Sequence, residues 1–233
     1  PVQCTYHIST RLAKRGHEVT VYATDALDPS SNATIPVKSQ VREGVDIFYF
    51  HNCIRPCRVF VSPGIIRFLH KNLKNFDIVH LHEYRTFQNL AFYYLNTRPV
   101  PYVLSAHGSI LPTYGVLRRN HVLMRRSFDF MFGRDLIREA KKLIATTNAE
   151  AEQYLQFGVQ KNKIITIPNG ISPDDFPNPL SNYFRTFFRI DQEKIILYLG
   201  RIHERKGIDV LVEAFSLLTK EQNNVKLVIA GAD

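Results

Sequence analysis

The sequence has little cysteine, no long apolar run, and too few acidic residues to balance its basic ones. Only three cysteines occur, Cys4, Cys53 and Cys57. So low and odd a count excludes a disulfide framework and favours a reducing compartment. His51-Asn52-Cys53 followed by Cys57 resembles half a metal site, but no second cysteine pair completes it. No stretch approaches the roughly 20 apolar residues of a membrane-spanning helix. There is no internal repeat, no low-complexity segment and no signature of an RNA- or DNA-binding module. The dinucleotide fingerprint and the Walker A loop are also missing.

What is present is a basic chain with alternating strand and helix patterns. Lys and Arg number 30 against 21 Asp and Glu, a formal net charge of +9. Such a surface favours anionic partners: a charged small molecule, an acidic membrane face or nucleic acid, the last without a recognisable binding module here. With 233 residues and 45% hydrophobic content, the chain can build one core and part of a second. Pro1 follows no initiator Met, and Val225 to Asp233 reads as a strand ending in Gly231-Ala232-Asp233. The expectation is a fragment that lacks its first strand and most of a second domain.

Val2 to His17 reads as a helix stopped at Gly16, and Glu18 to Thr24 as a strand. Further strands are expected at Val45 to Phe50, Asp77 to Glu83, Pro101 to Gly108, Lys142 to Asn148 and Lys163 to Pro168, with helices at Pro63 to Lys74 and Arg85 to Asn96. This alternation predicts an α/β fold, a Rossmann-like parallel sheet with helices on both faces. The stretch from Asn169 to Gln192 holds three prolines and no clean period. It divides the chain into a first domain over 1–170, a linker over 171–192 and the start of a second domain over 193–233.

That second domain opens on Lys194-Ile195-Ile196-Leu197-Tyr198-Leu199, an apolar strand, followed by Gly200-Arg201-Ile202-His203-Glu204-Arg205-Lys206-Gly207. Then Ile208, Leu211, Val212, Phe215 and Leu218 recur at helical spacing. A glycine-bounded basic loop between a parallel strand and a helix N-terminus suits an anion. Arg201 supplies a planar fork and Lys206 a point charge. Gly200 and Gly207 allow a tight turn and close approach to backbone. The other reading of the same loop is a solvated basic turn.

Gly200-Arg201-Ile202-x-x-x-Lys206-Gly207, with Glu213-Ala214-Phe215 beyond it, resembles the start of the donor domain of group 1 (family 4) glycosyltransferases. The likeness extends backward over most of the chain. Leu12-Ala13-Lys14-Arg15-Gly16-His17-Glu18-Val19-Thr20-Val21 is similar to that family's first helix and second strand. Ser105-Ala106-His107-Gly108 resembles its His-Gly at a strand end, and Pro168-Asn169-Gly170-Ile171 its domain-junction segment, with Ser172 where the family often has Asp.

The resemblance implies the two-domain GT-B fold and transfer of a sugar from a nucleotide-sugar to an acceptor hydroxyl, with retention and without metal or other cofactor. It implies that Arg201 and Lys206 grip the donor diphosphate, with Gly200 and Gly207 supplying loop backbone. His107 is implied to meet the donor sugar, against the alternative of a hydrogen-bonded core histidine. Glu83, Asn169 and Gly170 are candidates for the acceptor side or cleft, although Asn-Gly is also a common turn. His80 and His82 share a strand face, compatible with a metal, but the matching family strand leads to the acceptor cleft without one.

The acceptor expected is a lipid-linked or growing glycan, in glycolipid or cell-envelope polysaccharide synthesis, with no nucleic acid as partner. Val116 to Phe132 mixes Arg118, Arg119, Arg125 and Arg126 with apolar residues. It reads either as a surface helix packed on its domain or as a contact with an anionic membrane. A cytoplasmic enzyme, peripheral at the inner membrane face, is the expected location. The fragment alone is expected to be inactive. Two readings of other classes stay open: a non-catalytic, basic membrane-associating module, and another α/β nucleotide-sugar enzyme such as an epimerase.

Overall fold

The computed structural model describes residues 2–27, 33–53, 60–97, 99–110, 119–172, 182–191 and 194–231. The chain forms two compact units, 1–171 and 172–233.

In the first unit, helix α1 (Val2–Lys14) leads into strand β1 (Val19–Thr24). Between them Gly16 takes a φ of +88°, the left-handed turn that commonly stops a helix. β1 pairs in parallel with β3 (Val45–Phe50), placing Val19 opposite Val45. β2 (Ser39–Arg42) joins β3 antiparallel across Glu43-Gly44, whose φ values of 48° and 78° suit a two-residue hairpin. The sequence reading, which expected parallel pairing alone, missed β2. All four of its residues are exposed, so no apolar alternation marks it.

Helix α2 (Gly64–Asn72) continues into a 3-10 turn at Leu73–Asn75. It buries Ile65, Leu69 and Leu73, one residue per turn on one face. The aromatic rings of Phe48, Phe50, Phe68 and Phe76 surround Tyr22 edge-on, with centroids 5.5 to 6.2 Å from it.

A second sheet of the same unit runs β4 (Val79–His82), β5 (Tyr102–Ser105), β6 (Lys142–Ala145) and β7 (Ile164–Thr166), all parallel and in that order. The segments between these strands carry α3 (Phe87–Leu95), α4 (Arg119–Phe128), a π-helix at Asp129–Gly133, α5 (Arg134–Glu139) and α6 (Asn148–Gln156). Leu104, Leu143 and Ala145 from the strands, with Leu136, Ile137 and Tyr154 from the helices, are wholly buried. They belong to one apolar core. Because β4, β5 and β6 are parallel, their carboxyl ends meet on one edge, where open α/β sheets bind ligands.

In the second unit, β8 (Lys194–Leu199), α8 (Ile208–Leu218) and β9 (Val225–Ala230) form a βαβ unit. β8 and β9 pair in parallel, Lys194 opposite Val225. Inside the stretch read as a connection, residues 183–187 form a short helix, α7 (Tyr183–Phe187), whose five residues are too few to show a period in sequence.

Several sequence-based expectations fall outside the described residues. These are Cys57 with the basic segment 55–58, residues 116–118 including Arg118, and the stretch 173–181.

Candidate active site

The carboxyl ends of β4 and β5 carry the most unusual backbone in the first unit. Glu83 follows β4 with a φ of 65°, and His107 follows β5 with a φ of 51°. Neither residue type favours the left-handed region, and each such residue costs on the order of 1–2 kcal/mol. Gly108 continues the second turn at φ 76°. Strain of this kind persists only where surrounding contacts over-determine it.

Those contacts come from α3, which follows β4, and from α6, which follows the neighbouring strand β6. At α3, the N-cap Thr86 accepts the N–H of Asn89. The buried Asn89 side-chain amide then donates to the Glu83 carbonyl at 2.8 Å and to that of His82 at 3.3 Å. Helix α6 repeats the arrangement, with Thr147 as N-cap accepting from the N–H of Glu150. Glu150 is 3% exposed. Its Oε1 accepts from the Gly108 N–H at 2.6 Å, and its Oε2 accepts from the Thr146 N–H at 2.7 Å and the Thr146 hydroxyl at 2.8 Å. One turn on, the Tyr154 hydroxyl accepts from the Ala106 N–H at 3.0 Å.

The chain beyond His107 is held as well. Arg85 pairs with Asp129 through both Nε and Nη2, and donates to the carbonyls of Ser109 and Ile110. Both partners of this ion pair are largely shielded from solvent. Asp129 opens the five-residue π-helix, a rare distortion frequent at functional sites.

Three histidine rings meet on this edge. His80 bonds the Ser105 hydroxyl through Nε2 at 2.8 Å. Its ring stacks on that of His82 with centroids 4.1 Å apart. His82 Nδ1 lies 3.0 Å from His107 Nε2, so one ring donates and the other accepts. Burial, with the nearby His107 ring, pushes His80 down to about 4. Burial, then the charges of His80 and His107, pushes His82 down to about 3. Burial also lowers His107, opposed by the Glu150 carboxylate. Glu83 moves upward, chiefly through burial. At neutral pH the cluster is a chain of neutral imidazoles able to donate to or accept from hydroxyls. Among the described residues no group of three or more His, Cys, Asp or Glu is arranged to hold a metal ion.

His107 and Glu83 therefore sit at the ends of adjacent strands. Asn169 and Gly170 lie in the exposed chain after β7. Arg201 and Lys206 belong to the second unit, in the β8–α8 loop, and both are exposed. There the Tyr198 hydroxyl donates to the Arg201 carbonyl at 2.8 Å, and the Lys206 N–H donates to the His203 carbonyl within a 3-10 turn. Gly207 is the N-cap of α8 at φ 62°, a conformation that favours glycine.

Sequence reasoning missed Glu150, Asn89 and the pair formed by Asp25 and His51, whose atoms lie 2.8 Å apart beyond the ends of β1 and β3. Thr147-x-x-Glu150 carries the capping-box pattern, which signals the helix start. No pattern signals that one carboxylate oxygen leaves its own helix for Gly108.

The family described as Glycosyltransferase Family 4 matches residues 2–175. The chain belongs to glycosyltransferase family 4. The family described as Glycosyl transferases group 1 matches residues 182–233. An uncharacterized glycosyltransferase of Methanocaldococcus jannaschii is 29% identical over 166 residues, covering 67% of this chain and 40% of the relative. The D-inositol 3-phosphate glycosyltransferase of Xylanimonas cellulosilytica is 27% identical, covering 96% of this chain and 56% of its own. The family 4 chain thus spans about half the length, or less, of these curated relatives.

Among solved structures, Anabaena HepE in complex with UDP and glucose aligns with a TM-score of 0.64 at 13% identity, over 99% of this chain and 65% of HepE. A glycosyltransferase from Rickettsia africae aligns at 0.60 and 17% identity, over 99% of this chain and 64% of that one. These likenesses place the fold in the GT-B class of α/β glycosyltransferases, as the sequence implied.

Proposed function

We propose that the full-length protein transfers a sugar from a nucleotide-sugar donor to an acceptor hydroxyl. The observation that carries this reading is the strained His107 turn, gripped from α6 and hydrogen-bonded to His82 at the carboxyl edge of the sheet, where open α/β folds bind ligands. In this reading residues 1–170 form the acceptor-side domain, 171–192 the connection, and 193 onward the donor side. His107, neutral at physiological pH, hydrogen-bonds the donor sugar near the reacting carbon. Glu83, Asn169 and Gly170 border the acceptor.

Arg201 and Lys206 offset the negative charge that builds on the departing diphosphate, with Gly200 and Gly207 letting it approach backbone. That HepE is described with UDP and glucose supports a uridine diphosphate sugar as the first donor to assay. Transfer of a hexose with retention, in glycolipid or cell-envelope polysaccharide synthesis, is the finer form of the proposal. The test is Arg201→Ala and Lys206→Ala in the full-length enzyme. Both side chains are exposed, so stability should change by no more than about 0.5 kcal/mol. Turnover should fall by roughly 100-fold or more, as when a preorganised charge-stabilising donor is removed. Parent-like activity in both variants refutes the assignment.

A second reading, peripheral contact with an anionic membrane, rests on the α4 region. There Leu123, Phe130 and Met131 are 68%, 78% and 57% exposed beside the exposed Arg126. Such a surface suits acidic lipid. Co-sedimentation with phosphatidylglycerol vesicles, lost in Leu123→Glu/Phe130→Glu, is expected. Equal sedimentation of parent and variant sinks this reading.

A further inference from the structure

Glu150 is an expensive residue to place where it stands. Its carboxylate is buried, and among the described residues only N–H and O–H donors reach it. Taking a carboxylate out of water without a cation partner is costly unless several donors converge on it. A capping-box glutamate ordinarily reaches back to the backbone N–H of the N-cap residue, here Thr147. Here Oε2 serves the N–H and hydroxyl of Thr146, while Oε1 crosses to the N–H of Gly108 at the end of another strand. One side chain therefore joins the ends of β5 and β6. Four residues on and on the same helix face, Tyr154 takes the N–H of Ala106. The backbone is thus held immediately before and immediately after His107.

We propose that Glu150 is a positioning residue of the transfer reaction. By closing on the Gly108 N–H it fixes the left-handed backbone of His107, and with it the hydrogen bond between the His107 and His82 rings. The role of His107 toward the donor sugar is the reading given above, and this inference rests on it. Glu150 also places a negative charge near the His107 ring, which opposes the effect of burial on that ring.

The decisive variant is Glu150→Gln. Its amide offers one oxygen where the carboxylate offered two. The site at Thr146 presents two donors and Gly108 presents one. Because the Thr146 hydroxyl accepts as well as donates, either orientation of the amide sets its NH2 group against a backbone N–H that the carboxylate satisfied, and both remove the negative charge near the His107 ring. With histidine labelled in carbon-13 and nitrogen-15, the His107 ring in E150Q is expected to titrate at lower pH than in the parent, and its hydrogen bond to His82 to weaken. In the full-length enzyme, kcat should fall by about tenfold to a hundredfold at unchanged acceptor KM, the scale of a roughly 1 Å misplacement.

A His107 titration and ring N–H signal identical in parent and E150Q overturn the proposal, whatever the activity. Parent-like turnover in His107→Ala overturns the role of His107 instead, and leaves the titration as an independent test of the Glu150 contact. A measurement on the unaltered protein covers the case in which E150Q does not fold. The Gly108 amide proton should resonate far downfield and exchange slowly, whereas an ordinary shift with fast exchange refutes the contact.

Discussion

Acid should unfold the first unit through His80 and His82, and the size of the effect follows from their burial. Both rings have folded pKa values below the ordinary 6.5, at about 4 and about 3. The unfolded chain therefore binds protons that the fold rejects. Stability is fully present above pH 6.5 and is lost as pH falls toward the folded values. At pH 4.5, two units below the unfolded value, the unfolded chain carries nearly one proton on each ring and the folded chain carries few. Each ring then costs about 2.5 kcal/mol, from about 1.36 kcal/mol per unit. The pair together costs roughly 5 kcal/mol, against a typical total of 5–15 kcal/mol. Because the rings stack and the charge of His80 depresses His82, the protons enter the folded state in steps that belong to the pair.

Urea titrations followed by circular dichroism between pH 7.5 and pH 4.5 measure this loss. The comparison is His80→Gln/His82→Gln, in which every other titrating group remains. The parent curve of stability against pH should be steeper than the variant curve by up to about 2.7 kcal/mol per pH unit, the slope for two protons. Parallel curves for parent and variant refute the reasoning, as do imidazole resonances of His80 and His82 that titrate near 6.5.

Gly133→Ala should destabilise the first unit by about 1–3 kcal/mol through overpacking. A Cβ at that position would lie 2.0 Å from the Tyr84 hydroxyl and 2.8 Å from its ring, and Tyr84 is wholly buried. Tyr84→Phe should be neutral, or stabilising by about 1 kcal/mol, because among the described residues the buried hydroxyl, although near the Asp129 carboxylate, makes no hydrogen bond of normal geometry. It should also relieve part of the alanine defect in a double-mutant cycle, and strict additivity would contradict the contact.

The parts of the fold that sequence made legible are those in which one residue type serves one local purpose. Gly16 sits in the left-handed turn after α1, and Ile65, Leu69 and Leu73 line the buried face of α2 and its extension. His107 was singled out as a candidate because Ser105-Ala106-His107-Gly108 follows an apolar strand and resembles a family segment. What stayed hidden depends on distance in sequence. Glu150 is 42 residues from Gly108, and Arg85 is 44 from Asp129. Neither acidic residue differs in pattern from a solvated one. β2 was invisible for the opposite reason, since an exposed four-residue strand carries no apolar signal at all.

The energetic logic of the site explains why these hidden residues gather there. Two adjacent strands each end in a left-handed, non-glycine residue, Glu83 and His107. Left alone, either turn would relax toward an ordinary conformation and move its side chain off the edge. Both are opposed by the same device, a side chain in the first turn of a helix, α3 or α6, three residues beyond a threonine N-cap. It is Asn89 for Glu83 and Glu150 for Gly108 beside His107. Burying an amide or a carboxylate for stability alone is a poor choice, because an apolar residue of similar volume does as well or better. The arrangement makes physical sense if the quantity being fixed is the direction of the His107 ring, since hydrogen bonds are directional and apolar packing is not.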